Sequence, residues 1–502
     1  MGIKAYAAGW LARIVHRQNR KWISNPEEAQ HRVLQSLISK GKETVFGKDH
    51  NFERIKDYPD FKRAVPVRDY EQLKPYIQKI IEGAENVLWT GKPLYFAKTS
   101  GTTSGVKYIP ISKESMQYQV TGARNALLAY IYESGNKSFV EGNMIFLSGS
   151  PELEEKSGIQ TGRLSGIVNH HIPAYLRRNQ LPSYSTNCID DWEEKLDKIV
   201  DETMSRNMTL ISGIPPWMQM YFDRLTEKTG KSVCRIFPAL SVIVHGGVNF
   251  EPYKAKLFQS IGRHVASIET FPASEGFFAY QDSQKDESLL LLLNSGIFYE
   301  FIPANEIFAD NPTRLSIGDV ELGVNYAMIL NTNAGLWGYN LGDTVKFVSR
   351  NPYKIVVTGR IKHFISAFGE HVIAEEVEQC ISATAQEFNA RIIEFTVAPQ
   401  VNPIKGSLPY HEWFIEFEEI PERIEEFRLS LNKRMAQKNI YYRDLIEGKI
   451  LDHLHITPIK KDGFINYMKS IGKLGGQNKL PRLSNNREIA DKLKPFIQES
   501  SL

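Results

Sequence analysis

The segment from Lys98 to Lys107 concentrates residue types that bind anions, because every residue in it except Val106 is Gly, Ser, Thr or Lys. Glycines let successive backbone N–H groups converge on one anion, hydroxyl groups add donors, and Lys107 can balance phosphate charge. The order of residues is not that of a Walker loop. The pattern predicts a phosphate-binding loop, with a hydroxyl-rich hairpin tip as the alternative, from Thr99, Ser100, Gly101, Thr102, Thr103, Ser104, Gly105 and Lys107.

Two later segments place a carboxylate close to an aromatic residue. Phe271-Pro272-Ala273-Ser274-Glu275 follows a predicted strand. Phe271 could stack on a base and Glu275 could hold Mg²⁺, which prefers few carboxylates plus phosphate oxygens. In Tyr339-Asn340-Leu341-Gly342-Asp343, Asp343 follows a predicted tight glycine turn and could accept both hydroxyls of a ribose. Each segment alone is more typical of structural residues, but three such segments in this order rarely coincide by chance.

Alternating helices and strands are predicted to position these segments. Residues 1 to about 90 have helical spacing, with a helix start at Pro26. A helix from about Lys113 to Tyr132 should follow the predicted loop. Asp190 with Glu193 predicts a capping box, and Pro215 or Pro216 can open another helix. Further predictions are a helix over about 251–261 and strands over 94–97, 108–111, 144–147, 209–211, 240–244 and 265–269.

The predicted secondary structure changes twice after residue 288. Short strands separated by turn residues are predicted from Leu289 to Val357, and a compact α/β unit follows from Gly359. The fold class is therefore predicted as α/β. We expect a large domain over 1–358, with layered sheets, helices and a β-barrel-like part, and a smaller α/β domain over 359–502.

Composition excludes several classes of protein. The 502 residues are 42% hydrophobic and 24% charged, which argues against a disordered chain, a collagen or a coiled-coil rod. The formal net charge of +3 provides no overall field that favours nucleic acid or a membrane surface. The three cysteines form no CxxC pair, and His170-His171 should point apart on a strand, so neither predicts a metal site.

No apolar stretch approaches the ~20 residues that span a bilayer, and no secretory signal is evident. The first helix mixes Trp10 with several basic residues. A packed helix is favoured over one that lies on a membrane. A cytoplasmic protein without a membrane or nucleic-acid partner is therefore the expectation.

The three segments together resemble the phosphate loop, the aromatic-x-x-Ser-Glu motif and the Tyr-x-x-Gly-Asp motif of adenylate-forming enzymes, the firefly luciferase-like superfamily. The chain is most similar to the plant auxin-responsive acyl acid amido synthetases, the Gretchen Hagen family, in its bacterial-type form. The similarity extends to residues 269–278, 333–339, 359–378 and 476–482. One position departs from the plant pattern, since Asn340 stands where those enzymes have Arg.

The resemblance implies roles for individual residues. The loop residues with Lys107 would cradle the phosphates of ATP, and Glu275 would hold Mg²⁺. Lys479 would stabilise charge during adenylation, and Lys362 would be the hinge of a mobile C-terminal domain. The remaining implied contacts are to adenine from Gly246, Gly247, Val248 and Phe271 and to ribose from Asp343 and Arg360, with Ala273 and Ser274 as further nucleotide-binding residues.

The acyl pocket is predicted from aromatic and apolar residues near strand ends, namely Trp217, Met218, Tyr221 and His245, with core packing as the alternative for each. The resemblance implies an ATP- and Mg²⁺-dependent ligase that adenylates a small carboxylic acid and passes the acyl group to the amine of an amino acid. The alternatives are transfer to a thiol such as coenzyme A, and a nucleotide-binding protein without catalysis. The identity of the acid and the oligomeric state stay open.

Overall fold

The computed structural model describes residues 2–100, 106–172, 177–189, 191–247, 250–361, 364–365, 372–401, 403, 407–448, 451–474, 479–484 and 486–498. The chain forms two compact units. The larger unit comprises Met1–Phe250, Lys254–Leu341 and Val345–Val357, and the smaller comprises Glu251–Tyr253, Gly342–Thr344 and Thr358–Leu502. In the described ranges, no helix is long and apolar enough to cross a membrane.

The N-terminal part of the larger unit is helical. Helix α1 (Ile3–Ile23) buries Ala5, Ala12, Val15 and Trp22, whose spacing puts them on one face. This face packs against the long helix α6, so α1 is a packed helix. The helices up to α6 are α2 (Pro26–Gly41), α3 (Val45–Asp49), α4 (Tyr58–Ala64), α5 (Tyr70–Ile81) and α6 (Lys113–Ser134), with short 3-10 helices at Phe52–Arg54 and Ser138–Glu141.

A small sheet of four strands carries the segment rich in Gly, Ser and Thr. Its strand order is β2, β1, β5, β4, with β1 antiparallel to β2 and parallel to β5. The strands are β1 (Tyr95–Ser100), β2 (Val106–Ile111), β4 (Glu154–Lys156) and β5 (Ile159–Gly162). The sheet therefore presents the β1–β2 connection as a hairpin.

A second sheet of eleven strands forms the centre of the larger unit. Its strand order is β12, β13, β14, β15, β11, β10, β9, β8, β7, β3, β6. The strands β6, β3, β7, β8 and β9 are parallel neighbours, which places their carboxyl ends along one edge. The strands β10 to β15, which include those predicted for the barrel-like part, continue the same sheet beyond β9.

The bounds of these strands are β3 (Asn143–Phe146), β6 (Gln180–Leu181), β7 (Met208–Ser212), β8 (Val242–Gly246), β9 (Ala266–Ala273), β10 (Gly276–Gln281), β11 (Leu289–Leu291), β12 (Ile297–Pro303), β13 (Asn325–Thr332), β14 (Tyr339–Arg350) and β15 (Tyr353–Arg360). The associated helices are α7 (Leu164–His170), α8 (Tyr184–Asn187), α9 (Trp192–Thr203), α10 (Pro215–Thr229), α11 (Val233–Ile236) and α12 (Glu251–Ile261), with 3-10 helices at Ala304–Glu306 and Ile317–Asp319. The apolar side chains of the sheet and α6 join one continuous core.

The smaller unit has its own sheet and core. Strands β18 (Ile392–Gln400), β19 (Tyr410–Phe417) and β20 (His455–Ile459) form a three-stranded sheet. Phe395, Trp413 and Phe427 are buried in one of its apolar clusters. The other elements are β16 (Phe364–Ile365), β17 (Val372–Ile373), α13 (Ala374–Glu387), α14 (Ile424–Lys438), α15 (Ile440–Glu447), α16 (Gly463–Ser470), α17 (Glu488–Leu493) and a 3-10 helix at Lys494–Phe496.

Two local predictions are wrong. The cap of α9 is Asp191, whose carboxylate accepts a hydrogen bond from the Glu194 amide at 2.8 Å, whereas Asp190 lies outside the described residues. His170 ends helix α7 and does not lie on a strand. Its Nε2 lies 2.7 Å from the Pro151 carbonyl oxygen, so this histidine has a local structural partner.

Gln30 provides a test of how α2 is fixed to the large sheet. Its buried side chain donates to the carbonyls of Leu293 at 2.8 Å and Ile297 at 2.9 Å, and accepts from the Tyr299 amide at 2.8 Å. We expect Gln30→Leu to lower the free energy of unfolding by about 2–4 kcal/mol, because three buried backbone groups lose their partner. Urea denaturation measures the change.

The matched control is Gln35→Leu on the same helix, since Gln35 is only half-buried and donates one hydrogen bond to the Lys56 carbonyl. We expect a change within about 0.5 kcal/mol for this control. Equal effects of the two substitutions would show that the Gln30 hydrogen bonds do not stabilise the fold specifically.

Candidate active site

The β1–β2 hairpin holds both ends of the predicted phosphate loop. Thr99 pairs with Lys107 and Ser100 with Val106, so the strands stay paired up to the loop. The loop residues Gly101, Thr102, Thr103, Ser104 and Gly105 lie outside the described residues. This hairpin is compatible with both interpretations of the segment, since each requires a loop between paired strands.

Lys107 is half-buried beside an aromatic ring. Its ammonium group lies 5.3 Å from the centre of the Tyr70 ring. The Tyr70 hydroxyl accepts a hydrogen bond from the Tyr108 amide at 2.8 Å, which fixes the ring against β2. The face of an aromatic ring attracts a cation, so Tyr70 helps to hold the Lys107 ammonium group next to the loop.

Helix α6 begins directly after β2 and contacts the segments that carry the other motifs. Its cap, Ser112, accepts from the Ser115 amide at 3.0 Å and donates to the Asn333 carbonyl at 2.7 Å. Further along the helix, Gln119 donates to the Ala273 carbonyl at 2.7 Å. No local sequence pattern indicates either contact, because both join residues more than 150 positions apart.

Gly246 allows strands β8 and β9 to approach closely at their carboxyl ends. A Cβ at Gly246 would lie 2.2 Å from the Thr270 carbonyl oxygen, which no side chain tolerates. Gly247 follows with a φ of +80°, a backbone conformation that favours glycine. The predicted adenine wall therefore lies next to Thr270 and Phe271, whereas Val248 lies outside the described residues.

The aromatic-x-x-Ser-Glu motif forms a hairpin. Strand β9 continues through Ala273, so the prediction that the whole motif follows a strand is wrong. Ala273 pairs with Gly276 across a turn that contains Ser274 and Glu275. The Phe271 ring is 7% exposed and packs edge-on against Phe278 at 5.1 Å.

Glu275 and Tyr339 bring the second and third motifs together. The Tyr339 hydroxyl donates to Oε1 of Glu275 at 3.3 Å, although the two residues are 64 positions apart. No group of three or more His, Cys, Asp or Glu side chains in the described ranges could hold a metal ion. One oriented carboxylate at a hairpin tip, with phosphate oxygens as the remaining ligands, suits Mg²⁺.

The third motif lies inside strand β14 and is not a turn, contrary to the prediction. Gly342 interrupts the regular strand with a φ of +85°, and its carbonyl accepts from the Ile361 amide at 2.7 Å. Asp343, which follows it, is 9% exposed. Arg360 ends β15, and the predicted hinge Lys362 lies outside the described residues.

Lys479 belongs to the smaller unit and its side chain is exposed. The described residues on its C-terminal side are well anchored. The Arg482 carbonyl accepts from the Val397 amide at 2.9 Å, and the Ser484 amide donates to the Val397 carbonyl at 2.9 Å. The segment after Lys479 is therefore fixed to strand β18.

The predicted acyl-pocket residues are all buried near the carboxyl ends of β7 and β8. Trp217 contacts Trp192 with ring centres 5.0 Å apart, and Met218 lies on the same helix, α10. The Tyr221 hydroxyl is 2.6 Å from Oγ1 of Thr203. This contact directs Tyr221 into the layer between α9 and α10, which is the arrangement expected for core packing.

His245 differs from those three because it lies on β8, beside Gly246. Its ring stacks on Phe250 with centres 3.9 Å apart, and its buried Nδ1 has no hydrogen-bond partner among the described residues. Burial lowers the pKa of His245 to about 3, so the imidazole is neutral near pH 7. A neutral ring at the carboxyl edge of the sheet can contact an apolar ligand.

Comparison with known protein families covers most of the chain. Residues 15–187 match the GH3 family N-terminal domain, residues 290–360 its central domain and residues 375–488 its C-terminal domain. The chain belongs to the GH3 family. The predicted resemblance to the Gretchen Hagen family is confirmed, and the three GH3 matches occur in the expected order along the chain.

Curated relatives of this GH3 chain are plant synthetases. The indole-3-acetic acid-amido synthetase GH3.3 of Arabidopsis thaliana is 22% identical over 541 residues, covering 91% of this chain and 89% of the relative. The jasmonoyl-L-amino acid synthetase JAR4 of Nicotiana attenuata is 22% identical over 383 residues, covering 63% and 66%. The similarity to GH3.3 therefore spans nearly the whole of both chains.

Solved structures show the fold. The GH3.15 acyl acid amido synthetase superposes with a TM-score of 0.80 at 15% identity, covering 96% of each chain. A 2-hydroxyisobutyryl-CoA ligase, solved in its postadenylation state, gives a TM-score of 0.61 at 12% identity, covering 92% of this chain and 91% of the ligase. The predicted α/β fold of adenylate-forming enzymes is confirmed.

The depressed pKa of His245 predicts how stability depends on pH. The unfolded imidazole has a pKa near 6.5 and the folded one a pKa of about 3, so protonation favours unfolding. This contribution to stability is complete above pH 6.5 and is lost as the pH falls toward 3. Between pH 7 and 5, we expect His245→Gln to lose less free energy of unfolding than the parent, by roughly 1–2 kcal/mol.

Urea midpoints at pH 7, 6 and 5 measure this difference. His264→Gln is the matched control, because His264 is exposed. It should follow the parent at every pH. If His245→Gln also follows the parent, another group causes the acid sensitivity.

Proposed function

We propose that this protein is an ATP-dependent, AMP-forming ligase that activates a small carboxylic acid as an acyl-adenylate and joins it to the amine of an amino acid. The observation that carries the proposal is the Tyr339–Glu275 contact, which unites two of the three nucleotide motifs in a GH3 chain. The names of its curated relatives, which join acids to amino acids, support the same reaction class.

The reaction requires no nucleophile from the protein. A carboxylate is a poor acyl donor because its oxygen is a poor leaving group. When that oxygen attacks the α-phosphorus of ATP, a P–O bond forms and the bond to pyrophosphate breaks. An amine then attacks the acyl carbon and AMP leaves. The protein positions these groups and neutralises charge.

Individual residues can be assigned to the nucleotide as follows. Lys107 and the hairpin ends at Thr99 and Ser100 would hold the phosphates, together with residues 101–105. Asp343 and Arg360 would bind the ribose hydroxyls. Glu275 would hold Mg²⁺, which supplies charge neutralisation for the phosphates when bound. The adenine contacts would come from Gly246, Gly247, Val248 and Phe271, with Ala273 and Ser274 as further nucleotide-binding residues.

Residues 359–502 would act as a mobile C-terminal domain with Lys362 as the hinge, and residues 1–358 would bind nucleotide and acid. In this arrangement Lys479 stabilises the charge that builds between the α-phosphate and the attacking carboxylate. Rotation of the domain would then withdraw Lys479 and admit the amine.

The acid would bind at the carboxyl edge of the parallel strands, where α/β sheets bind ligands. Trp217, Met218 and His245 are the candidates to line the pocket. Tyr221 is the weakest of the four, because its hydroxyl already bonds to Thr203 in the core. The acids named for the relatives, indole-3-acetic acid and jasmonate, support a mainly apolar substrate with one carboxylate.

Transfer to a thiol is the second candidate. The CoA ligase with the same fold supports it only at the level of architecture, since its identity to this chain is 12%. The names of the curated relatives, an indole-3-acetic acid-amido synthetase and a jasmonoyl-L-amino acid synthetase, favour an amine acceptor. Mass spectrometry of the product separates the two reactions, because one yields an amide and the other a thioester.

The decisive experiment is carboxylate-dependent exchange of labelled pyrophosphate into ATP, with Mg²⁺, a panel of aromatic and aliphatic acids, and no amine. We expect exchange with at least one acid, because adenylation is reversible. Lys479→Ala should reduce the rate by about 100-fold or more. Lys473→Ala, an exposed lysine in the same unit, should leave it unchanged. A protein that binds ATP but shows no exchange with any acid would support the non-catalytic alternative.

Tyr339→Phe tests the assignment of Glu275 to the metal. Removing the hydroxyl removes one hydrogen bond that orients the Glu275 carboxylate. We expect the Mg²⁺ concentration for half-maximal exchange to rise roughly 10-fold, the lower end of the range for outer contacts of metal ligands.

Tyr326→Phe is the matched control, because Tyr326 is also buried and, within the described part of the chain, its hydroxyl accepts a hydrogen bond from the Glu321 amide at 3.0 Å. Its Mg²⁺ dependence should equal that of the parent. An unchanged Mg²⁺ dependence in Tyr339→Phe would remove the support that this contact gives to a metal role for Glu275.

A further inference from the structure

The larger unit contains a cavity that none of the predicted site residues line. Its volume is about 510 Å³, within the range of small-molecule sites. It lies between helices α1 and α2, the first turns of α6, and the loops at Gly296 and Asn333. Gln117 and Tyr118 line it, whereas Gln119 of the same helix points to the β9–β10 hairpin. The cavity and the candidate active site therefore occupy different faces of α6.

One buried amide in the cavity wall has no hydrogen-bond partner. The Asn333 side chain is 7% exposed and makes no hydrogen bond to any described residue, although its backbone carbonyl accepts from Ser112. Its amide is therefore available to a polar group in the cavity. The exposed side-chain amides of Gln117 and Asn294 also line the wall. A ligand in the cavity can satisfy these groups.

The wall is net positive. Its charged residues are Lys21, Arg32, Lys40 and Glu114. The Glu114 carboxylate is fully engaged, since one oxygen accepts from Lys40 at 2.6 Å and the other from the Trp89 indole at 3.0 Å. Lys21 forms no ion pair with a described residue, and Arg32 has only an exposed contact of 3.6 Å to Glu28. The uncompensated charge favours an anion.

Aromatic rings supply the apolar part of the wall. Trp22 and Trp89 are each 6% exposed, and Tyr118 covers Gly296, where a Cβ would lie 2.9 Å from its ring. Trp22, Trp89 and the 38% exposed Tyr118 thus give the wall two narrow aromatic edges and one open ring, which can pack against a planar ring. The aromatic rings, the cationic side chains and the side-chain amides together favour an anionic ligand with a planar ring.

We propose that this cavity is a second ligand site, separate from the candidate active site, that binds a small organic anion with a planar ring. Lys21 and Arg32 attract the anionic group, and Asn333 donates a hydrogen bond to it. The ring lies against Trp22 and Trp89. Carboxylates and phosphate monoesters share this chemistry, so both are tested.

Isothermal titration calorimetry with benzoate, phenyl phosphate and neutral benzamide tests the proposal. We expect one or both anions to bind, with benzamide at least about tenfold weaker because it lacks the charge. Tighter binding of benzoate identifies the ligand as a carboxylate, and tighter binding of phenyl phosphate identifies it as a phosphate monoester.

Variants assign the heat to this cavity and not to the active site. Lys21→Ala should weaken anion binding by about fivefold, and Asn333→Asp should abolish it by placing a carboxylate in the wall. Arg13→Ala, an exposed residue of α1 outside the cavity, is the matched control and should bind as the parent does. Since Lys21 is exposed, its replacement tests the proposal even if Asn333→Asp fails to fold.

Anion binding that is unchanged in Lys21→Ala and in folded Asn333→Asp would overturn the proposal, as would the absence of heat with both anions. Pyrophosphate exchange by Lys21→Ala should equal that of the parent, because the cavity is separate from the candidate active site. Failure of exchange in the parent would refute the proposed ligase without affecting the binding result.

Discussion

Helix α6 fixes the relative positions of the segments on which the candidate active site depends. It starts where β2 ends, its cap Ser112 holds the Asn333 carbonyl, and Gln119 holds the Ala273 carbonyl. The contact with β10 is equally tight, because a Cβ at Gly122 would lie 2.4 Å from the Phe277 ring. A helix is stiff, so these contacts set the spacing between the first two motifs and the loop that leads to the third.

A buried polar network supports the start of the third motif from the other side of the sheet. Arg314 forms a bidentate ion pair with Glu300, whose carboxylate also accepts from Asn331 at 3.0 Å. Asn331 in turn accepts from the Gly338 amide at 2.7 Å, directly before Tyr339. Burying an ion pair gains little stability when it is compared with apolar packing. Its value here is that it fixes the backbone that presents Tyr339 to Glu275.

These two supports explain how weak sequence signals become one site. Phe271 and Glu275 lie on a hairpin that α6 holds, and Tyr339 begins a strand that the Glu300 network holds. Each motif is ordinary when considered alone. The second and third motifs form one site through the hydrogen bond between Tyr339 and Glu275, and the two supports position the residues that make it. The cavity beside Asn333 shares the loop between them but contacts neither carboxylate.

The sequence by itself determined the residue types of the motifs, their order, the α/β alternation and the family, because glycine content, hydrophobic period and motif spacing are local properties. It placed the motifs after a strand and in a turn, whereas the structure has them in a hairpin and inside β14. Only the tertiary structure decided that Gln119 holds Ala273, that Tyr339 contacts Glu275 and that Tyr221 bonds to Thr203. Such contacts join residues that are distant in the sequence and depend on how the elements pack. A local sequence pattern therefore does not predict which residue a buried polar group will contact.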